Sequence, residues 1–184
     1  EILKMSGVPF ADLYTVIHGT NLVTNTLIER KGAHTGLMTT RGFRDVLETG
    51  NEVRYDLYDL SIERPKPLVP RRFRLGISER VTAQGHIRQP LDLDEVRHAA
   101  RYFEKEGITS VAVCLLHSYR NPVHERHIQE CLQREFPSFH VSLSSRVAPE
   151  IREYERTSTT VANAYVQPIM KRYLRYIETK LKKN

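Results

Sequence analysis

Apolar and polar residues fall along this chain in blocks whose spacing switches between two and nearly four. Tyr14-Thr15-Val16-Ile17 is mainly apolar and stops abruptly at His18-Gly19-Thr20, as a strand ends in a tight polar turn. Ahead of it, Glu1 to Met5 reads as a helix tail broken by Gly7 and Pro9. The next block has helical spacing and closes at Gly32, the position of a C′ glycine. The pattern predicts a strand at 14–18, a helix at 21–31, a strand at 35–40 and a short helix at 42–49. Strands separated by helices in this rhythm imply a parallel sheet with helical crossovers.

Residues 51–70 lose all period. A polar and aromatic stretch gives way to Pro65, Pro67 and Pro70, which marks a long loop and a domain boundary. A β-hairpin is expected next, with limbs at 77–82 and 87–90 around Ala83-Gln84-Gly85-His86. Asp92-Leu93-Asp94-Glu95 has the shape of a capping box. The helix after it, 93–106, places Val96, Ala99, Ala100 and Phe103 on one face and ends at Gly107. Residues 109–116 form a continuous apolar strand of the buried parallel kind. Asn121-Pro122 starts another helix, with Val123, Ile128, Cys131 and Leu132 along its inner face. A strand at 140–144 and a helix over 156–181 follow, and Pro168 is expected to kink or interrupt that helix. The expected division is a first lobe at 1–50, the loop at 51–70, a separable α/β lobe led by the hairpin at 71–148, and a helical return at 149–184.

Composition narrows the class. The 184 residues are 40% hydrophobic and 27% charged, as in globular proteins able to bury a sizeable core. The longest apolar run, Val111 to Leu116, is far too short for a membrane span. Two cysteines, Cys114 in a strand and Cys131 on a helix, suit reduced thiols and a cytoplasmic location. The net charge of +6 is concentrated at Arg71-Arg72-Phe73-Arg74 and between Lys171 and Lys183. No helix-turn-helix, RNP or zinc-finger spacing accompanies it, so no nucleic-acid partner is expected.

Candidate chemistry gathers where the strands end. In a parallel sheet the carboxyl ends of the strands share one edge, and ligands bind there. His18, Gly19, Thr20 and Asn25 follow the first strand, and Arg44 and Asp45 follow the second. Two readings of the first group are open: His18 exchanges a proton with a bound amide or phosphate while Thr20 contacts the same ligand, or Thr20 and Asn21 simply cap the helix. Arg44 offers a planar fork to a carboxylate or phosphate. Alternatively, Arg44 and Asp45 arrange the start of the short helix, where Asp45 meets the positive end of the dipole. Arg54, Tyr55 and Asp59 lie in the long loop, a common home for binding residues or for an interface. His117 ends the buried strand. With His124 and Glu125 it makes a poor metal set, and a role for His117 and Asn121 in fixing a strand-to-helix turn is the stronger reading. No metal site is expected.

Several blocks carry a family resemblance. His18-Gly19-Thr20-Asn21 with Thr24-Asn25-Thr26-Leu27-Ile28-Glu29-Arg30-Lys31-Gly32 is one. Thr39-Thr40-Arg41-Gly42-Phe43-Arg44-Asp45-Val46-Leu47-Glu48 is the next. Cys114 to Pro122 with His124-Glu125 is a third. Ser142 to Ser145, Pro149 to Arg156, Thr159-Thr160-Val161 and Asn163-Ala164-Tyr165 make a fourth. In this order the blocks resemble the hydantoinase A / 5-oxoprolinase family, which includes ATP-dependent N-methylhydantoinases, 5-oxoprolinases and a subunit type of acetone carboxylases. Asn21 departs from the family's usual second threonine.

The resemblance implies part of an actin-like ATPase lobe plus an α/β lobe with a hairpin. It implies hydrolysis of a cyclic amide, such as a hydantoin or 5-oxoproline, driven by phosphorylation of the amide oxygen, with ATP and Mg²⁺ as cofactors. A partner subunit or homo-oligomer is implied too. Acetone-carboxylase-type chemistry and a non-catalytic docking role are the alternatives. The family's Asp-x-Gly-Gly-Thr phosphate loop has no counterpart here, since none of the nine glycines is adjacent to another and the chain opens on Glu1. The expectation is an internal fragment of a longer enzyme, inactive by itself.

Overall fold

A computed structural model describes residues 21–51 and 65–182; the strand expected at 14–18 lies outside them. In chain order the elements are α1 (Leu22–Ile28), β1 (Thr35–Thr40), α2 (Val46–Thr49), a 3₁₀ turn (Arg71–Phe73), β2 (Arg74–Ile77), β3 (Arg80–Val81), β4 (Ile87–Gln89), α3 (Leu93–Lys105), β5 (Ser110–Cys114), α4 (Val123–Glu135), β6 (His140–Leu143), α5 (Ser144–Val147) and α6 (Glu153–Lys182). The main sheet runs β2-β1-β5-β6, with every neighbour parallel. β3 and β4 form a separate antiparallel hairpin. The expected α/β class, with a parallel sheet and a hairpin, is what the chain adopts.

Side chains alternate between the two faces of a strand, and the contacts of β1 and β5 show what covers each face. Ser110 and Cys114 of β5 reach α6, through the Ala164 carbonyl and the Thr157 hydroxyl. Gly36, in register with Val111, meets the Phe103 ring of α3 on the opposite face. The sheet is therefore the middle of three layers. β1 and β5 are buried throughout, and for β5 this is why the sequence reads as an unbroken apolar run rather than an alternating one. On α3 the expected face is realised: Val96, Ala99, Ala100 and Phe103 are all buried. Arg97 ties α3 to α4 by donating to Glu135 at 2.9 Å.

Three expectations are corrected. The spacing puts Ile77 in the hairpin, yet 74–77 is a parallel strand paired to β1, with Met38 opposite Leu75; only Arg80–Val81 and Ile87–Gln89 form the hairpin. β1, from the first segment, thus lies between β2 and β5 of the second, and the described residues of both share one sheet. The first helix ends at Ile28, and Arg30, at φ 53°, takes the left-handed position rather than Gly32. Gly32 serves another purpose: a Cβ there would overlap the Tyr165 ring, and the Ala33 N–H donates to the Tyr165 carbonyl at 2.9 Å.

The third correction concerns Pro168. Helix α6 runs unbroken for 30 residues with Pro168 inside it. Proline has no N–H to give the carbonyl four residues back, here that of Ala164. That carbonyl instead accepts the Ser110 hydroxyl at 2.6 Å. The next one, Tyr165, accepts from Ala33. The acceptors around the proline thus become tertiary anchors that fasten α6 to the starts of β1 and β5.

This arrangement predicts coupling between two distant positions in sequence. Ser110→Ala orphans a buried carbonyl and is expected to cost about 1–3 kcal/mol in urea unfolding. In a Pro168→Ala background the helix can supply its own N–H, and the same change is expected to cost about half as much or less. Equal costs in both backgrounds would contradict the account.

Candidate functional site

Because the four strands are parallel, the segments that follow them gather at one edge of the sheet. β1 leads into Arg41-Gly42-Phe43-Arg44-Asp45. The turn is set by the Arg41 N–H donating to the Ile77 carbonyl at 2.9 Å and the Phe43 N–H to the Thr40 carbonyl at 3.0 Å. Gly42, at φ 94°, occupies a conformation that a side chain would strain.

Within this turn Arg44 and Asp45 have different surroundings. Asp45 precedes α2 but makes no side-chain cap. Its carboxylate takes two parallel bonds from Arg71, Nε at 2.7 Å and Nη2 at 2.9 Å, a bidentate fork. That guanidinium holds the Asp45 carboxyl below its ordinary value. The Nε of Arg44 is 3.9 Å from Asp45, and the side chain is exposed. Arg44 thus stays available to a ligand, whereas Asp45 is committed to Arg71. Through that fork Asp45 pins the 71–73 turn.

The other candidates are placed as follows. His18, Gly19 and Thr20, and likewise Arg54, Tyr55 and Asp59, lie outside the described residues. Asn25 is exposed on α1, and no side-chain bond joins it to Arg44 or Asp45 among the described residues. His117 ends the β5 segment at φ 54°, where its carbonyl accepts from the N–H groups of Arg120 at 2.9 Å and Asn121 at 3.1 Å. Asn121 accepts from the Val123 N–H at 3.2 Å and donates to the Gly85 carbonyl at 2.8 Å. It therefore starts α4 and moors the hairpin turn at the same time. His117 and Asn121 fix the strand-to-helix turn, as their sequence positions suggested.

Beneath the edge lies a buried polar network that periodicity missed. Glu125, fully buried, accepts from the Leu115 N–H at 3.0 Å, the Ser144 hydroxyl at 2.6 Å and the Ser145 N–H at 2.9 Å. Ser118 and Ser144 share a bond of 2.9 Å. Arg156 donates to Ser118 at 3.2 Å and to the Leu115 carbonyl at 2.9 Å. Beside it, Glu79 accepts from the Thr40 hydroxyl and from His124 Nδ1 at 2.8 Å. Thr40 in turn accepts the Leu116 N–H at 2.9 Å.

Glu79 and Glu125 are 2% and 0% exposed, so their carboxylates cannot meet a ligand arriving from solution. They hold the loops at this edge in place. The legible signal was their place in the pattern: His124 and Glu125 stand with Ile128, Cys131 and Leu132 on the buried stripe of α4, where apolar residues belong. Burial also raises the Cys114 thiol above its usual value, leaving it protonated and inert. Among the described residues, no group of three or more His, Cys, Asp or Glu side chains could hold a metal ion, and no helix is long and apolar enough to cross a membrane.

The Arg71–Asp45 fork sets a pH dependence. A depressed folded value means that its contribution is present above the unfolded Asp value of about 3.9 and is lost as pH falls through the folded one. In an NMR titration, Arg71→Ala is expected to move the Asp45 midpoint upward toward that ordinary value. An unmoved midpoint would show that the fork does not form in solution.

Comparison with known proteins bears on the whole edge. Residues 1–136 match the family model described as the hydantoinase/oxoprolinase N-terminal region. The chain is 38% identical over 170 residues to caprolactamase subunit alpha of Pseudomonas jessenii, covering 91% of this chain and 24% of that protein. It is 32% identical over 191 residues to 5-oxoprolinase 1 of Arabidopsis thaliana, covering 95% and 15%. The structure of the ATP-dependent caprolactamase from Pseudomonas jessenii superposes with a TM-score of 0.89 at 35% identity, over 98% of this chain and 27% of that one. The nucleotide-free acetone carboxylase structure gives 0.79 at 29% identity, over 90% and 25%. The chain thus spans about a quarter or less of the curated relatives it matches. With the family model covering most of its length, this chain belongs to the hydantoinase/oxoprolinase family, in that family's N-terminal region.

Proposed function

We propose that the chain is a segment of an ATP-dependent cyclic-amide hydrolase, and that the loops at the carboxyl edge of its sheet help to hold the ligand. The observation that carries this reading is the close likeness, over nearly the whole chain, to an ATP-dependent caprolactamase, together with the 5-oxoprolinase relative. Both names denote enzymes of lactams. An unstrained lactam is a poor electrophile with a poor leaving group. Transfer of the γ-phosphoryl group of ATP to the amide oxygen, with ADP leaving, makes the carbon attackable. Water then adds, the carbon–nitrogen bond breaks and phosphate departs. Donors aimed at the developing negative charge lower that barrier, and Arg44 is the described side chain best placed to act so. His18, Thr20 and Asn25 complete the proposed set. Mg²⁺ would accompany ATP, and among the described residues no group of three or more His, Cys, Asp or Glu side chains gathers to hold it.

A carboxylase-type role is the second reading, favoured by the acetone carboxylase superposition. A partner subunit fits either, because the caprolactamase relative is itself a subunit. Both described cysteines are free and buried, which suits the cytoplasm as the location of the enzyme.

The test uses the intact parent protein. With ATP and Mg²⁺ it is expected to release phosphate in step with ring opening of caprolactam, 5-oxoproline or a hydantoin, while this chain alone does neither. His18→Ala and Arg44→Ala are each expected to lower that turnover by about tenfold or more, the size of one lost stabilising donor, with unchanged unfolding midpoints. Full activity in both variants would remove the cluster from the site. Phosphate release dependent on a ketone and bicarbonate, and not on any lactam, would replace the hydrolase reading with the carboxylase one.

A further inference from the structure

The outer strand of the described sheet borders a groove that shares Arg44 with the proposed hydrolase site and is otherwise unassigned. It has a volume of about 710 Å³ and is lined along one side by Arg41, Gly42 and Arg44 after β1, with Arg72 before β2. Leu75, Gly76 and Ile77 of β2, with Ala99 and Tyr102 of α3, form its floor, and Glu95 and His98 complete the lining. That volume lies in the range of small-molecule sites, which pair an apolar floor with a few placed polar groups.

The charges at the rim are unevenly committed. Arg41 is paired with Glu95, whose carboxylate also takes the Ser78 N–H at 2.7 Å and the Ser78 hydroxyl at 3.1 Å. The Asp92-to-Glu95 segment is thus only half a capping box: Asp92 caps the Asp94 and Glu95 N–H groups, while Glu95 faces β2 instead of turning back. Glu95 is therefore spoken for, and it is the one carboxylate in the lining against three arginines. Arg72 rests over the Phe73 ring with Cζ 4.5 Å from its centroid, and among the described residues it has no carboxylate partner. Arg44 approaches Asp45 only at 3.9 Å, and Arg71 already occupies that carboxylate. His98 donates Nδ1–H to the Asp94 carbonyl at 2.8 Å, which leaves its Nε2 without an assigned bond.

Among the described residues, two guanidinium forks without a tightly bound carboxylate, Arg44 and Arg72, therefore flank a floor of aliphatic and aromatic surface. A fork matches a carboxylate or phosphate in two bonds, and the floor favours a flat apolar body. We propose that this groove binds a small organic anion, with a carboxylate or phosphate between Arg44 and Arg72 and an apolar body laid along Leu75 and Tyr102. The proposal shares Arg44 with the hydrolase reading but goes beyond it, since it concerns binding by this chain alone and its test needs no ATP-coupled turnover.

Phenyl phosphate is the probe, with inorganic phosphate and phenol as its two halves and benzoate as the carboxylate counterpart. Amide chemical shifts are followed by NMR in the chain as it stands. Phenyl phosphate or benzoate is expected to bind with a dissociation constant of about 1 mM or below, at least about tenfold tighter than either half, a difference of about 1.4 kcal/mol. The shifts are expected at Gly42, Gly76 and His98. The tighter of the two probes identifies the anion. The double variant Arg44→Gln/Arg72→Gln, which changes only exposed side chains, is expected to keep the spectrum dispersed and weaken binding by about tenfold or more. Absence of binding at about 20 mM, well above the expected constant, would overturn the proposal. So would inorganic phosphate binding as tightly as phenyl phosphate, shifts confined to other residues, or unchanged affinity in the double variant. Loss of ATP-coupled turnover in the parent's Arg44→Ala variant, with no phenyl phosphate or benzoate binding by this chain, would leave the hydrolase reading standing and remove the groove.

Discussion

The carboxylate of Glu125 carries more of this structure than any other single group. Bringing a charge into a protein interior costs several kcal/mol unless geometry and hydrogen bonding offset it. Here the offset is three donors from two places: the Leu115 N–H beyond β5, and the Ser144 hydroxyl and Ser145 N–H at the start of α5, directly after β6. Glu125 itself belongs to α4. One side chain thus fixes how α4, β5, β6 and α5 meet, and the Ser118–Ser144 bond and Arg156 extend the hold to α6. Glu79 repeats the device one strand further along. With Thr40 and His124 it joins the ends of β1 and β2 to α4.

That framework explains why the exposed chemistry sits where it does. The loops after parallel strands share an edge by topology, but a loop keeps a useful shape only if something rigid lies under it. The buried carboxylates supply that rigidity, and the arginines above them divide the labour. Arg71 clamps Asp45, Arg41 meets Glu95, and Arg44 and Arg72 are left facing the groove. The net positive charge that suggests nucleic acid by composition alone is, at this edge, partly neutralised within the fold and partly turned toward a small concave surface.

Much of the fold was legible because it depended on local pattern. The segments at 35–40 and 109–116 read as parallel strands, the second of them buried, and the stripe on α3 named its own core residues. What escaped the pattern was decided by distant partners. Nothing in Arg74-Leu75-Gly76-Ile77 says whether its neighbour runs parallel or antiparallel; β1 decides that. Pro168 looked like a break in α6 because its compensation lies elsewhere, in the Ser110 hydroxyl and the Ala33 N–H. Asp45 looked like a ligand or a cap because Arg71 stands 26 positions away. Glu125 was visible as an acid on an apolar stripe, and that contradiction was the available signal for a buried network. The family was legible more directly, because its blocks are local strings of residues.

The central claim is that Glu125 holds the carboxyl edge together, and hydrogen exchange tests it most directly. In Glu125→Ala, removal of one partner from a buried charged network is expected to cost about 3–5 kcal/mol, a large part of the 5–15 kcal/mol typical of a domain. If the chain remains folded, the amides of Leu115 and Ser145 are expected to lose protection together, with that of Leu116 following, while amides in the middle of α3 change only by the global loss of stability. A loss of less than about 1 kcal/mol, within the range of an ordinary surface change, with Leu115 and Ser145 as protected as before, would contradict the account.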